Sequence, residues 1–175
     1  MMLVSGLNED KFEPAQLMKI FIMRHGEAEL HSDSDVTRKL TPLGVLETQV
    51  MARWLGKQQI NLDAILVSPY TRAQETAAIM NEQLGASLAL QTLSLLTPAG
   101  SASDCHDYLD GTVHLERWEN ILVVSHMPLV SYLTAELSIE KSTPVFATAA
   151  VAEIDYDATQ MTGHYQGIVT PDDFC

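Results

Sequence analysis

The chain has 175 residues, of which 46% are hydrophobic and 19% charged, and its formal net charge is −13 at pH 7. This length and apolar content suit one domain with a hydrophobic core and argue against disorder. The acidic excess disfavours nucleic acid and anionic membrane surfaces as partners, because both require a surplus of Lys and Arg. Any anion site must therefore concentrate positive charge locally, against the overall sign.

The N-terminal segment and the cysteines give expectations about organisation and compartment. Residues 1–17 lack the basic flank of a secretory signal, and no apolar run reaches the length that spans a bilayer. We expect residues 1–17 to be a flexible extension and residues 18–175 to form a single domain. Cys105 and Cys175 have neither metal-ligand spacing nor a disulfide framework, which favours a cytoplasmic protein.

The first predicted elements are a strand and a helix joined by a polar loop. A short β-branched and apolar run at residues 19–23 predicts a buried strand that ends in Arg24-His25-Gly26. After the polar loop, Thr41 and Pro42 are typical of a helix N-cap and first helical position. Apolar residues then recur at helical spacing up to Gly56. They are Leu43, Leu46, Val50 and Trp54.

The next stretch repeats this pattern. Residues 64–67 predict a second strand, and Ser68-Pro69 suggests another cap followed by proline. A helix with an apolar stripe should follow and end at Gly85. The stripe consists of Ala73, Ala77, Met80 and Leu84. Alternating leucines over residues 88–95 predict a third strand, and residues 97–100 predict a turn.

The remainder of the chain predicts two helices and three strands. A weaker helix should cover residues 103–115, a fourth strand residues 121–124 and a further helix residues 128–137. Residues 147–156 and 163–169 predict two final strands joined by a turn. Alternating strands and helices indicate parallel βαβ units in an α/β sandwich, with the last two strands as a hairpin at one sheet edge.

Positively charged and imidazole side chains follow three of the predicted strands. Arg24 and His25 leave the first strand, Arg72 lies in the first turn of the helix after the second, and His126 follows the fourth. Arg38, in the loop after the first strand, is a further candidate. Ligands in parallel sheets bind at the carboxyl ends of the strands, so these side chains should meet at one rim.

Such a rim suits phosphoryl transfer. The guanidinium group presents a planar fork of donors that matches phosphate oxygens. A neutral imidazole can attack phosphorus, while a second histidine and the arginines stabilise charge on the equatorial oxygens. The N-termini of the helices expected after Ser68 and Ser125 would add positive potential.

The same residues resemble the histidine phosphatase (phosphoglycerate mutase-like) superfamily. The matching segments are residues 21–28, 40–44, 67–73 with Thr76, and 123–128. Within the superfamily, the chain resembles the SixA-type phosphohistidine phosphatases in two respects. It is small, and it has only the short run 95–98 where larger members insert a helical cap.

The resemblance implies a fold and a role for each candidate. The implied fold is a three-layer α/β/α sandwich with a six-stranded, mostly parallel sheet, one antiparallel strand and no cap domain. His25 would be the nucleophile, and Arg24, Arg72 and His126 would form the phosphate pocket with help from Arg38. No metal and no organic cofactor is implied.

The chain departs from larger members of the superfamily at the general acid. Many of them carry a Glu or Asp after the third strand that protonates an alkoxide leaving group. Residues 96–103 contain no carboxylate, so Asp104 is the first possible weak acid and Glu27 a remote second. A phosphorylated histidine does not need such an acid, because its P–N bond is labile and imidazole is a weakly basic leaving group.

We therefore expect a protein phosphohistidine phosphatase with a covalent phosphohistidine intermediate. Its partner would be the histidine-phosphotransfer (HPt) domain of a sensor kinase in a two-component phosphorelay, or a phosphocarrier protein, with neither nucleic acid nor membrane involved. We expect a monomer. Two alternatives stay open: a phosphomonoesterase acting on a small molecule or sugar, and a protein that binds phosphohistidine without turnover.

Overall fold

A six-stranded sheet with helices on both faces makes up the computed structural model, which describes residue 15 and residues 17–174. The strands are β1 (Leu17–Arg24), β2 (Ala64–Val67), β3 (Leu90–Thr92), β4 (Asn120–Ser125), β5 (Val151–Asp157) and β6 (Thr162–Val169). The helices are α1 (Pro42–Lys57), α2 (Thr71–Gln83), α3 (Ala102–Glu116) and α4 (Leu129–Leu137). Apart from Leu17 and residue 15, the expected N-terminal extension lies outside the described residues, as does Cys175.

The strand order is β3-β2-β4-β1-β5-β6. Neighbours among β1 to β4 pair in parallel, whereas β5 is antiparallel to both β1 and β6. Only β5 therefore runs against the others, and β5 and β6 form a hairpin at the edge of the sheet. The predicted mostly parallel sheet with one antiparallel strand is confirmed.

Two apolar layers cover the sheet. Side chains alternate along β1, so that Ile20 and Ile22 join one layer while Phe21 and Met23 join the other. The first layer includes residues of α3 and α4, and the second includes residues of α1 and α2. Both faces of the central strands are thus covered, which explains why β2 is wholly apolar and wholly buried.

The neighbours β1 and β4 define the point where the connections change sides. The helix that follows β1 lies on one face, and the helix that follows β4 lies on the other. The register pairs Arg24 with Ser125 at the carboxyl ends of these strands. A crevice forms at such a switch point, and His25 and His126 both leave their strands into it.

Three predicted boundaries were wrong. The third strand covers only Leu90–Thr92, because the chain then turns through a 3-10 helix, Ser94–Leu96, that buries Leu96. The fifth strand begins at Val151 rather than 147, since residues 147–150 form a turn closed by the Ala150 amide on the Ala147 carbonyl. Helix α2 begins at Thr71, three residues after the predicted cap.

The start of α1 is confirmed, but its apolar spacing does not mark the buried side. Thr41 caps the helix, with its hydroxyl accepting from the Gly44 amide, and Pro42 is the first helical residue. Leu43 and Leu46, which set the predicted spacing, are exposed. The helix instead buries a neighbouring face made of Gly44, Thr48, Met51, Ala52 and Leu55. Within residues 17–174, no helix has the length and hydropathy needed to cross a membrane.

Candidate active site

Two glycines bring α1 against the loop that follows β1. A Cβ atom on Gly26 would lie 2.5 Å from the Gly44 carbonyl oxygen, and one on Gly44 would lie 2.0 Å from the Glu27 carbonyl oxygen. Only glycine fits at such distances from backbone. The Gly26 amide also donates to the Thr76 hydroxyl of α2 at 3.1 Å. Three of the segments that carry the family resemblance therefore interlock next to His25.

His25 is held as a neutral imidazole whose Nε2 carries an unprotonated lone pair. Its side chain is buried, and Nδ1 lies 2.7 Å from the Gly26 carbonyl oxygen, so Nδ1 must carry the proton. The other nitrogen, Nε2, accepts from Arg72 Nε at 3.1 Å. Burial, with the nearby charges of Arg72 and Arg24, lowers the pKa of His25 to about 4. At neutral pH the ring therefore presents an unprotonated Nε2, which can attack once Arg72 Nε donates to a phosphate oxygen instead.

His126 lies beside His25, with the ring centroids 5.1 Å apart. Its Nε2 is 2.7 Å from the Ser68 hydroxyl, which also accepts from the Tyr70 amide. When Ser68 donates to Nε2, the proton of His126 resides on Nδ1, which is buried and has no partner among the described residues. Burial and the proximity of His25 and Arg72 lower the pKa of His126 to about 3. Ser68 thus orients a neutral histidine instead of capping α2.

Three guanidinium groups surround the histidines, and each donates to a main-chain carbonyl. Arg24 donates to Phe146 at 2.7 Å, Arg38 to Glu29 at 2.6 Å and Arg72 to Asp35 at 2.6 Å. These contacts orient the arginines without neutralising them. Among the described residues, Arg24 Nε and His126 Nδ1 are the buried side-chain polar atoms without a partner, and both belong to this site. Unpaired donors beside three cations suit an anion that supplies the missing acceptors.

Two carboxylates that the sequence analysis missed contact this site. Asp35 lies 2.8 Å from Arg38 and 3.3 Å from Arg72 through its two carboxylate oxygens. Glu47 accepts from the Glu27 amide at 2.8 Å. It also accepts from the Thr148 hydroxyl at 2.7 Å, which ties two loops of the site together. Burial lowers the pKa of Arg24, and the charge of Glu47 opposes that effect.

The structure brings most of the predicted site residues together. His25, Arg72 and His126 are in direct contact or adjacent, and Arg38 is connected to Arg72 through the Asp35 carboxylate.

Asp104 is not joined to this group in the described part of the chain. It is exposed in the first turn of α3, where its amide donates to Ser101. The Glu27 carboxylate accepts from the Thr41 hydroxyl at 2.8 Å. Among residues 17–174, no group of three His, Cys, Asp or Glu side chains is arranged to hold a metal ion.

The missed residues carried little signal in the sequence. Asp35 stands three residues before Arg38, a spacing that could have suggested an ion pair within a turn. Ser68 lies in the matching segment 67–73 and is predicted as a helix cap, but neither signal indicates its contact with His126. Glu47 lies in a helix, where an acidic residue is ordinary.

An α/β sandwich with two neutral imidazoles and three guanidinium groups at its switch point defines a phosphoryl-transfer enzyme. Residues 20–97 match the family model described as histidine phosphatase superfamily (branch 1). The phosphohistidine phosphatase SixA of Escherichia coli (strain K12) is 39% identical over 140 residues, which cover 80% of this chain and 86% of that protein. The chain belongs to the histidine phosphatase superfamily and is a phosphatase, as its sequence predicted.

Two further comparisons agree. The phosphohistidine phosphatase SixA homolog of Haemophilus influenzae (strain ATCC 51907 / DSM 11121 / KW20 / Rd) is 38% identical over 151 residues, covering 82% of this chain and 91% of that protein. The solved structure of the protein histidine phosphatase SixA complexed with tungstate superimposes with a TM-score of 0.86 at 36% identity. That match covers 90% of this chain and 100% of the other.

Proposed function

We propose that the chain removes phosphate from phosphohistidine on a protein, with His25 as the covalent nucleophile. The observation that carries this proposal is the ionisation state of the pocket. Desolvation acts to raise the pKa of Asp35, but the hydrogen bonds and charges of Arg38 and Arg72 outweigh it and hold that pKa below its ordinary value. The carboxylate that contacts the arginines is thus ionised and cannot serve as a general acid.

The lack of an acid selects the leaving group. An alkoxide leaves poorly near neutral pH unless a positioned group protonates it. His126 does not fill this role easily, because its low pKa keeps it neutral. A phosphohistidine whose second ring nitrogen is already protonated releases a neutral imidazole without a proton from the enzyme, so this pocket is suited to cleaving a P–N bond. The activities in the names of the two SixA relatives point the same way.

In the first step, His25 takes the phosphoryl group from the substrate. The lone pair on Nε2 forms a bond to phosphorus while the bond from phosphorus to the protonated substrate imidazole breaks, and that electron pair stays on the departing neutral ring. His25 becomes an N-phosphorylated imidazolium, and its Nδ1–H still donates to the Gly26 carbonyl. Arg24, Arg72 and His126 Nδ1–H donate to the equatorial oxygens.

In the second step, water attacks phosphorus in line with the new P–N bond. That bond breaks with its electron pair returning to Nε2, and the proton lost by water passes to a phosphate oxygen or to solvent. Inorganic phosphate leaves, and His25 regains its starting tautomer. The solved SixA relative is complexed with tungstate, a tetrahedral oxyanion like phosphate, which supports an anion-binding role for this fold.

The rim of the pocket supports a protein as the substrate. Each carbonyl that accepts from a pocket arginine belongs to a residue next to an exposed apolar side chain. Leu30 follows Glu29 and is 85% exposed, and Val36 follows Asp35 and is 44% exposed. Val145 precedes Phe146 and is 84% exposed. A small phosphate ester would leave this rim in water, whereas a protein surface would cover it. An HPt domain or a phosphocarrier protein would supply such a surface.

The first prediction concerns His25→Asn. We expect this variant to lose phosphate release from a phosphohistidine-bearing HPt domain by at least about a thousandfold, because the attacking lone pair is gone. Wild-type protein quenched in alkali within milliseconds should carry label on His25, and the variant should carry none. His114→Asn, an exposed histidine of α3, is the matched control and should keep full activity.

The outcome of a substrate panel separates the alternatives. Labelled HPt domain, labelled phosphocarrier protein and a set of sugar phosphates are compared under the same conditions. Turnover of sugar phosphates well above turnover of both phosphoproteins would contradict the proposal in favour of a small-molecule phosphatase. Binding of phosphoprotein without release of phosphate would make the chain a binding protein.

A further inference from the structure

The Asp35 carboxylate occupies the position between two pocket arginines that an anion would take. One oxygen lies 2.8 Å from Arg38 Nη1 and the other 3.3 Å from Arg72 Nη2. Arg72 is buried and also donates through Nε to the His25 nitrogen that attacks phosphorus. A single carboxylate therefore bridges two cations, one of which touches the nucleophile.

Arg72 donates to the Asp35 main-chain carbonyl at 2.6 Å and so holds the turn that carries Asp35, which leaves the carboxylate as the part that can move. Asp35–Thr37 form a 3-10 turn that buries no side chain, and Ser34, its N-cap residue, makes no side-chain capping bond. The Asp35 carboxylate is about half exposed, whereas the Arg72 guanidinium is almost fully buried. The carboxylate can therefore leave into water when another anion binds, while the arginine stays in place.

We propose that Asp35 is a specificity-determining residue that acts as an internal competitor for the phosphate site. A ligand must displace the carboxylate from Arg38 and Arg72 before it can use those donors fully. This cost is the same for every phosphate group, so free phosphate and small phosphate esters bind weakly. A phosphoprotein recovers the cost through contacts outside the pocket, and the product phosphate is released readily.

The inference rests on the proposed function only in taking this pocket as the phosphate site. Binding of inorganic phosphate to the full chain by titration calorimetry tests it without any turnover, so its failure and that of the proposed reaction are distinguishable. We expect Asp35→Asn to lower the dissociation constant for phosphate about tenfold, as the loss of two partly exposed charge-assisted contacts predicts. Asp35→Ala should tighten binding in the same direction.

Two further variants separate local competition from a general charge effect. Asp33 lies in the same exposed loop but makes no contact with the arginines. Asp33→Asn removes the same charge and should change the dissociation constant for phosphate by less than about twofold. Asp35→Glu keeps the charge and should stay near wild type. The inhibition constant of phosphate as a product should fall in Asp35→Asn by the same factor as the dissociation constant.

The opposite results overturn the inference. If Asp35→Asn binds phosphate no more tightly than Asp33→Asn, then the carboxylate does not compete. If it binds phosphate more weakly, Asp35 supports the site by orienting Arg72 instead.

Discussion

The hydrogen bonds around His25 and His126 decide what each ring can do. The Gly26 carbonyl fixes the proton of His25 on Nδ1, and Ser68 turns His126 so that its Nδ1 is free of protein partners among the described residues. Both rings are buried next to cations, so protonation of either ring would place a further positive charge in the same small volume. Neutral rings are the consequence, one suited to attack and the other to donation.

These surroundings predict that both histidines stay neutral well below their ordinary range. The pKa values of about 4 for His25 and about 3 for His126 place their titration on the acid side of pH 5. In ¹H–¹⁵N spectra of the imidazole groups, we expect both rings to show the pattern of the neutral form from pH 8 down to pH 5. His25→Asn and His126→Asn assign the signals, and a midpoint near pH 6.5 for either ring would contradict the electrostatic account.

At the scale of secondary structure, the position of α1 depends on a close contact with the loop after β1. Gly44 lies in the first turn of α1, and its Cα faces the backbone of Glu27, two residues after His25. The amide of Glu27 is held in addition by Glu47 from the next turn of the same helix. Helix α1 is thus the element against which the loop after His25 is fixed.

Gly44→Ala should therefore disturb both stability and activity. The new Cβ would lie 2.0 Å from the Glu27 carbonyl oxygen, so α1 and the loop must separate. We expect a loss of about 1–3 kcal/mol in the free energy of unfolding, as overpacking predicts, together with a large fall in kcat. Denaturant unfolding and phosphate release measure the two effects.

Gly56→Ala is the matched control in the same helix. Its Cβ would meet only Leu84 Cδ2 at 3.6 Å, which is an ordinary contact. Since alanine is favoured over glycine in a helix by up to about 1 kcal/mol, this variant should be unchanged or slightly more stable, with normal activity. A stable and active Gly44→Ala protein would show that the close contact is not needed.

For the whole molecule, the two buried histidines make stability depend on pH. Between about pH 4 and 6.5 the unfolded chain binds protons on His25 and His126 that the folded chain does not bind. The free energy of unfolding therefore rises with pH in this window. The stability that the two neutral histidines contribute is lost progressively as the pH falls below about 6.5. The lowered pKa of Asp35 acts in the same direction at lower pH.

We expect the protein to lose about 4 kcal/mol of stability between pH 7 and pH 5 through these two histidines. Urea unfolding at pH 7 and at pH 5 measures the loss. The change in the free energy of unfolding between the two pH values, rather than the free energy itself, is compared among variants. In the double variant His25→Asn/His126→Asn most of the difference should disappear. An equal loss in the double variant would assign the pH dependence to other groups.

The sequence by itself determined the class of fold and predicted the main candidates for the site. Arg24, His25 and His126 stand at the ends of short apolar strands, and the carboxyl ends of parallel strands must meet at one edge. Local signals are strong there, because strand exits and the Thr41-Pro42 helix start depend only on neighbouring residues. The family resemblance used the same positions.

Only the tertiary structure decided how those residues are charged and held. Ser68 contacts His126 across 58 residues, Thr76 contacts Gly26 across 50, and the Asp35 carboxylate meets an arginine on another helix. Such contacts depend on how α2 and the loop after β1 pack against the sheet, which no local pattern encodes. The same holds for the tautomer of His25 and for the ionised state of Asp35, since both follow from burial and from neighbours distant in the chain.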